Sequence, residues 1–434
     1  MMQASMAPWL LTAIPCMGAV LSLLLWSSLH RMKTWALLTV MASFLAAMAL
    51  SWQLQQSLTS MPFLCLLPLT AFLSLLGQPL HQDNRAAWLS TLVLLGLGLG
   101  ILTAQDLPRH IMIVTLLGIL CGVIYHWNGF LPDVRRALAT YGLGMASAML
   151  SLLLPAPAST VAVLLTCATL LPLFPLHGGF VGSLTGLPGN LPAFAAVLLP
   201  VVGFHCLVLL LPNLTGAMFQ FVTILALVGA CYGSLLALRQ AWVLPRLAYA
   251  GLAFFSTLWW YVAGTGTAPV QTVVYLSAVG LAMSGLLLAW YSIRARYGDI
   301  DVRSLGGLAY LMPRFSTLLS LLALAALGMP PFGVFSGFMG MLLTPAFAPS
   351  GSLAVIMLVW LSASWYFLDM VHQLVFGRHR PDLRYEDLRQ TEFASLLVLV
   401  LLLLALGIAP SRLFQSNATT PSEAVAIKVS SWIH

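Results

Sequence analysis

Phe174-Pro-Leu-His-Gly-Gly-Phe180, Val181-Gly-Ser-Leu-Thr-Gly-Leu-Pro-Gly-Asn190 and Leu191-Pro-Ala-Phe-Ala-Ala-Val-Leu-Leu-Pro-Val-Val-Gly-Phe-His205 follow one another without a gap. An apolar run closes on Pro175 and His177. A Gly/Pro-rich connection comes next, and a new apolar helix opens on Leu191-Pro192 and carries Pro200 and Gly203. Proline removes a backbone donor and clashes with the preceding turn, so the spacing predicts an interruption or kink at Pro200 and Gly203. In lipid, the carbonyls freed by such a break are tolerated only against protein or a watery cavity. The plainer alternative is that Pro and Gly are simply commoner in membrane helices.

The rest of the chain sets the context for that break. Of its 434 residues, 60% are hydrophobic and 7% charged, against about 25% charged in an ordinary soluble domain. The composition predicts an all-α polytopic membrane protein. At about 20 apolar residues per crossing, the chain divides into about fourteen transmembrane helices with short loops, leaving no room for a soluble domain. The expected organisation is N-terminal transmembrane helices over 1–86 and a core over 87–376. A cytoplasmic loop, last helix and outer C-terminal tail follow over 377–434. The stretch from Met1 to Pro8 carries no positive charge, so the first span is not expected to be a cleavable signal. With the N-terminus outside, 15 of the 18 Lys and Arg fall in inner loops, and both termini are expected outside a cytoplasmic membrane.

Several classes of chemistry lack their motifs. The six cysteines stand singly in apolar runs, without the close pairs of a zinc or iron-sulfur site. There is no Gly-rich phosphate loop, His-Glu-x-x-His or basic aromatic array. No metal, cofactor or nucleic-acid partner is expected; the lipid bilayer is.

A second interruption lies in the other half. Arg314 to Ala346 is too long for one straight helix and carries Gly328-Met-Pro-Pro-Phe-Gly-Val-Phe-Ser-Gly337, which places a break at Pro330 and Pro331. Two Pro/Gly-interrupted spans, one in each half, point to an inverted-repeat transporter fold.

These stretches resemble the antiporter-like proton-translocating membrane subunits of respiratory complex I, group 4 membrane-bound hydrogenases and Mrp antiporters. Pro175 and His177 match the family's Pro-Phe-His block, and Pro188 and Ala193 its Ala-Pro-Thr-Pro block. Ala237-Leu-Arg-Gln240 with Arg246-Leu-Ala-Tyr249 resembles Ala-Leu-x-Gln-x-Asp-x-Lys-Arg-x-x-Ala-Tyr-Ser-Ser. Leu327 to Phe338 resembles Leu-Gly-(Leu/Met)-Pro-Pro-Phe-Gly-x-Phe, and His372-Gln-Leu-Val-Phe-Gly377 a His-Arg-x-x-Phe-Gly helix end. The resemblance runs from about residue 90 to 410 and implies a proton path of buried Glu, Lys and His near the bilayer midplane.

The residues at the matched positions are not charged. Thr115 stands for the family's buried Glu, Pro200 and Leu244 for its Lys residues, and Phe254 for a His. Val279 and Met283 take a His and a Lys position, and Phe338 takes the terminal Glu/Lys. The titratable groups left near the membrane interior are Asp369, His372, His205 and His177. Asp369 and His372 lie one helical turn apart and are expected to share a face; either a proton path or a structural interface pair would suit them. His205, one turn past Pro200, could donate to the carbonyls that Pro200 frees. His177 reads as a loop anchor and Arg246 as a snorkelling side chain. The resulting expectation is a degenerate antiporter-like subunit of an NADH-quinone oxidoreductase or hydrogenase type complex. It would scaffold other membrane subunits, with room for a soluble catalytic partner on the cytoplasmic face. The alternatives are a proton or cation transporter with a rewired pathway through Asp369, His372, His205, His177 and Thr115, or the membrane partner of a zinc protein in inorganic-carbon uptake.

Overall fold

The computed structural model describes residues 2–53, 61–80, 84–129, 131–298, 305–377 and 386–409. The outer tail expected after residue 409 therefore lies outside the described residues, as do Arg378 and His379. The described residues form helices and no strands. In chain order these are α1 Met2–Leu24, α2 Leu29–Gln53, α3 Met61–Leu76, α4 Arg85–Thr103, α5 Asp106–Asn128, α6 Pro132–Leu153, α7 Ala158–Leu170, α8 Gly178–Gly186 and α9 Leu191–Leu210. They continue with α10 Gly216–Arg239, α11 Val243–Thr265, α12 Val270–Tyr297, α13 Leu308–Leu311, α14 Pro313–Ala326, α15 Gly333–Leu342, α16 Ser352–Phe376 and α17 Gln390–Ile408.

Among the described residues, 9 helices are long and apolar enough to cross a membrane, and shorter apolar helices accompany them. Apolar side chains point both inward and outward, so amphipathic patterning is weak, as expected where the surrounding solvent is itself hydrocarbon. Burial separates the layers instead. α12 is buried along its whole apolar length and α9 and α11 nearly so, whereas α5, α10, α16 and α17 keep exposed apolar faces. The central helices approach closely at small residues: Gly280 of α12 lies against Val197 of α9.

The first interruption does not lie at Pro200. α9 runs unbroken through Pro200 and Gly203, because a buried helix held on several sides survives the loss of one internal hydrogen bond. The chain opens instead between α7 and α8, at Leu171 to His177, and the stretch read as a loop contains α8. Leu171 turns extended at φ −88° and ψ 103°, and its carbonyl accepts a hydrogen bond from Trp259 Nε1 at 3.1 Å. Gly203 serves this break from outside: a Cβ there would run into the backbone nitrogen and Cβ of Leu171.

The second interruption falls where Pro330 and Pro331 placed it, between α14 and α15. Gly328 adopts φ +73°, a left-handed conformation suited to glycine, and ends α14. The Trp360 indole of α16 covers it so closely that a Cβ would collide. From the other side, Gly407 of α17 admits the Pro331 carbonyl, and its own carbonyl accepts from Ser336 Oγ at 2.7 Å. A glycine from a neighbouring helix thus keys into each break.

Candidate functional site

Six of the seven positions at which the resemblance expects buried charges are apolar and buried. Pro200 is buried in α9, and Leu244, Phe254, Val279, Met283 and Phe338 are all at most 9% exposed. Aromatic rings of α11, α12, α15 and α16 meet in one stack there. Phe338 of α15 lies on Trp360 of α16 with ring centroids 4.1 Å apart, Phe254 of α11 meets Trp360 at 6.0 Å, and Phe254 and Phe367 stack at 6.3 Å. Tyr275 of α12 completes the group, 6.4 Å from Phe338. Its hydroxyl donates to the Phe254 carbonyl at 3.2 Å.

The remaining polar groups do not converge. Thr115 is exposed on α5 and spends its hydroxyl on the Ile111 carbonyl of its own helix at 2.8 Å, so its expected place in the protein interior is corrected. His205 is half-buried, and its Nε2 is enclosed without a hydrogen-bond partner. The expected donation to a carbonyl freed by Pro200 is absent among the described residues. His177 follows the first break and sits in an aromatic cage, stacked on Phe174 at 5.9 Å with Tyr232 at 5.3 Å and Tyr249 at 6.2 Å.

Asp369 has partners other than the expected one. Its Oδ2 accepts from Arg246 Nη1 at 3.0 Å, and its Oδ1 accepts from Gln373 Nε2 at 2.7 Å. His372 is exposed and forms no hydrogen bond with Asp369 among the described residues. Helical spacing placed the two on neighbouring positions, but the carboxylate turns toward the stronger charge-assisted donor. Arg246 does not snorkel. It is 5% exposed, and its Nε and Nη2 donate to the Gln240 carbonyl at 3.0 and 2.7 Å, closing the C-terminal end of α10. The pair therefore ties α10, α11 and α16 together.

A second ion pair, buried on both sides, was not legible in advance. Arg296 in the last turn of α12 donates to Glu392 in the first turn of α17, from Nη2 at 2.7 Å and from Nη1 at 3.3 Å. Arg296 also bonds the carbonyls of Ser292, Glu386 and Asp387. Glu392 further accepts from the Arg389 backbone nitrogen at 2.9 Å. The available signal was the placement of Glu392 three residues after Arg389, the spacing of a reciprocal helix cap. Nearby, Asp387 receives the backbone nitrogens of Arg314 and Phe315 at 2.8 and 3.2 Å, which fixes the start of α14. None of these clusters gathers enough His, Cys, Asp or Glu to hold a metal ion among the described residues.

The profile of the NADH:quinone oxidoreductase/Mrp antiporter transmembrane family matches residues 112–366, more than half of the chain. The chain belongs to that family. The match runs from α5 into α16 and includes both interrupted helices. NADH-quinone oxidoreductase subunit M of Escherichia coli is 29% identical over 260 residues, which are 58% of this chain and 51% of that protein. The chain spans about half the length of the first curated relatives it matches. A chain of Thermus thermophilus respiratory complex I shares the fold with a TM-score of 0.78 at 22% identity, covering 94% of this chain and 96% of that one. The archaeal membrane-bound sulfane sulfur reductase gives a TM-score of 0.80 at 16% identity over 94% and 95% of the two chains. This family member is thus a multi-pass membrane protein whose architecture is that of the family, with the second break placed as its Pro-Pro motif implied.

Proposed function

We propose that the chain is a membrane subunit of a multi-subunit, redox-linked or ion-translocating complex and acts there as scaffold and docking surface instead of conduit. Membership of a complex is supported by relatives that are themselves subunits of an NADH-quinone oxidoreductase and chains of respiratory assemblies. The scaffold role rests on one observation: the Phe254, Phe338, Trp360 and Phe367 rings fill the core where a proton path would need titrating groups. A relay through side chains needs groups that titrate, and a stable buried water needs roughly two to four polar partners. Aromatic carbon supplies neither.

The test is proton uptake by membrane vesicles, normalised to the amount of assembled complex. Asp369→Asn and His372→Ala, separately and together, are expected to leave uptake close to that of the unsubstituted complex, whereas deletion of the subunit disrupts assembly. Loss of uptake in Asp369→Asn with assembly intact would overturn the scaffold role and make Asp369 part of a rewired path.

The proposal also places the chain in a bacterial cytoplasmic membrane with both termini outside. The arginines at the C-terminal end of α12 then face the cytoplasm, and the connection from α11 to α12 faces out. In a cysteine-free background, Thr267→Cys should react with an impermeant thiol reagent from outside and Ala295→Cys only after permeabilisation. The reverse pattern, or same-side labelling, removes the topology.

A further inference from the structure

α7 and α9 touch at a glycine: a Cβ on Gly203 would strike Leu170 and Leu171. Beyond that contact the two helices part, and with the start of α5 they enclose a cavity of about 150 Å³. Val163 from early in α7 and Leu210 from the end of α9 share its wall, so the two helices run antiparallel. In that register the residues about one turn from the glycine contact are Cys167 on α7 and Cys206 on α9. Both line the cavity, both are free thiols, and they are 0% and 5% exposed. Six cysteines standing singly in the sequence thus include two that the fold brings to one enclosed space.

Two further groups of α5 border the thiols. Arg109 lines the cavity, and its Nη2 donates to the Ala104 carbonyl at 2.6 Å. Its Nε is enclosed without a partner, and no carboxylate pairs with it among the described residues. His110 lines the same cavity, and its Nδ1 lies 2.8 Å from the Asp106 carbonyl. A carbonyl only accepts, so Nδ1 is the protonated nitrogen and Nε2 keeps its lone pair. Imidazoles that bind metals are commonly held this way. The Thr166 hydroxyl donates to the Ala162 carbonyl at 3.1 Å.

A pair of thiols in an apolar recess selects by softness and coordination number. Zn(II) takes about four ligands, whereas a monovalent d10 ion such as Cu(I) is satisfied by two and prefers soft sulfur. No group of three or more metal-binding side chains exists among the described residues, which a two-coordinate ion does not require. Such an ion between two thiolates leaves one net negative charge, costly in a recess poor in water. The Arg109 guanidinium offsets it. We infer that Cys167 and Cys206 form a two-thiolate site for a soft monovalent cation of the Cu(I) class, with Arg109 as counter-charge and His110 as a transient ligand on entry. Loading breaks two S–H bonds, releases both protons to solvent and forms two metal–sulfur bonds, with no electron transferred. The inference does not depend on whether the chain conducts ions or on which complex holds it.

The experiment uses the purified, reduced full chain in detergent without oxygen, with Cu(I) presented in excess glutathione. Two thiols ordered in advance by the fold outcompete separate monothiols, an advantage that a single cysteine elsewhere in the chain lacks. The expected result is one copper retained per chain after desalting, with two sulfur neighbours by X-ray absorption. Cys167→Ala and Cys206→Ala should each abolish retention, and Cys231→Ala, outside the cavity wall, should leave it unchanged. Cys167→Ser and Cys206→Ser, which keep the side-chain size, repeat the comparison if an alanine chain fails to fold. Arg109→Gln should weaken the apparent affinity by about tenfold, as for a group just outside the ligand set, and Arg109→Lys should keep most of it. No copper retained by the unsubstituted chain, equal retention in a Cys167 or Cys206 variant, or Zn(II) held as tightly as Cu(I) overturns the site. An unchanged affinity in Arg109→Gln overturns the counter-charge role.

Discussion

Glu392→Ala is expected to destabilise the folded chain by about 3–5 kcal/mol, the cost of leaving a buried cation without its counter-charge. The Glu392 and Arg296 side chains are only 4% and 11% exposed, so solvent cannot take over the neutralisation. The substitution also strips the α17 cap, because the Arg389 backbone nitrogen donates to the same carboxylate. Replacing both partners with apolar residues, Arg296→Met with Glu392→Leu, should recover a substantial part of the loss, since no charge is then stranded. Recovery should stay incomplete, because Arg296 also serves the carbonyls of Ser292, Glu386 and Asp387. The midpoint of detergent-driven unfolding in mixed micelles measures both. A double variant no better than Glu392→Ala would show that the pair acts as packing and not as a charge couple.

Phe338→Glu, which puts a charge at the position where the resemblance expects a Glu or a Lys, should be the most damaging single change in the core. The ring is 1% exposed and is sandwiched by Trp360 and Tyr275. No unpaired cation among the described residues adjoins it. Insertion costs the stacked ring, about 3–5 kcal/mol for loss of a buried aromatic, together with burial of an unpartnered acid. Phe338→Leu keeps the apolar character and should cost about 1–2 kcal/mol. The same unfolding assay compares the two. A Glu variant as stable as the Leu variant would mean that polar groups or water already reach this position, and the dry core would have to be abandoned.

Much of the architecture was legible in the chain because burial in lipid leaves a coarse and strong signal. Long apolar runs, short loops and a Pro-Pro interruption at Pro330 and Pro331 each have a direct structural counterpart. Pro200 was misleading for a definite reason. Proline disrupts one hydrogen bond, but the helix opens here where neighbours take up the bent backbone, one by a hydrogen bond and one by leaving room for it. Those neighbours, Trp259 from α11 and Gly203 from α9, lie far from Leu171 in sequence or on another helix. The polar site was hidden in the same way. Helical spacing brought Asp369 and His372 together on paper, yet the partner is Arg246, 123 residues earlier. Arg296 and Glu392, 96 residues apart, could be joined only by the folded chain. In contrast, the apolar replacement of the charged positions could be read residue by residue, and the aromatic stack is its physical form.

The two interruptions separate fold from chemistry. The backbone of each is met by groups that carry no charge: an indole donates to Leu171, a serine hydroxyl to Gly407, and glycines admit the bent backbone. Their upkeep is therefore independent of the charges that a relay would place beside them. A chain can lack the ionisable residues while the broken helices stay intact, because the contacts that hold the breaks do not use them. In chains of this architecture an interrupted helix marks the fold, and the chemistry must be read from the side chains beside it.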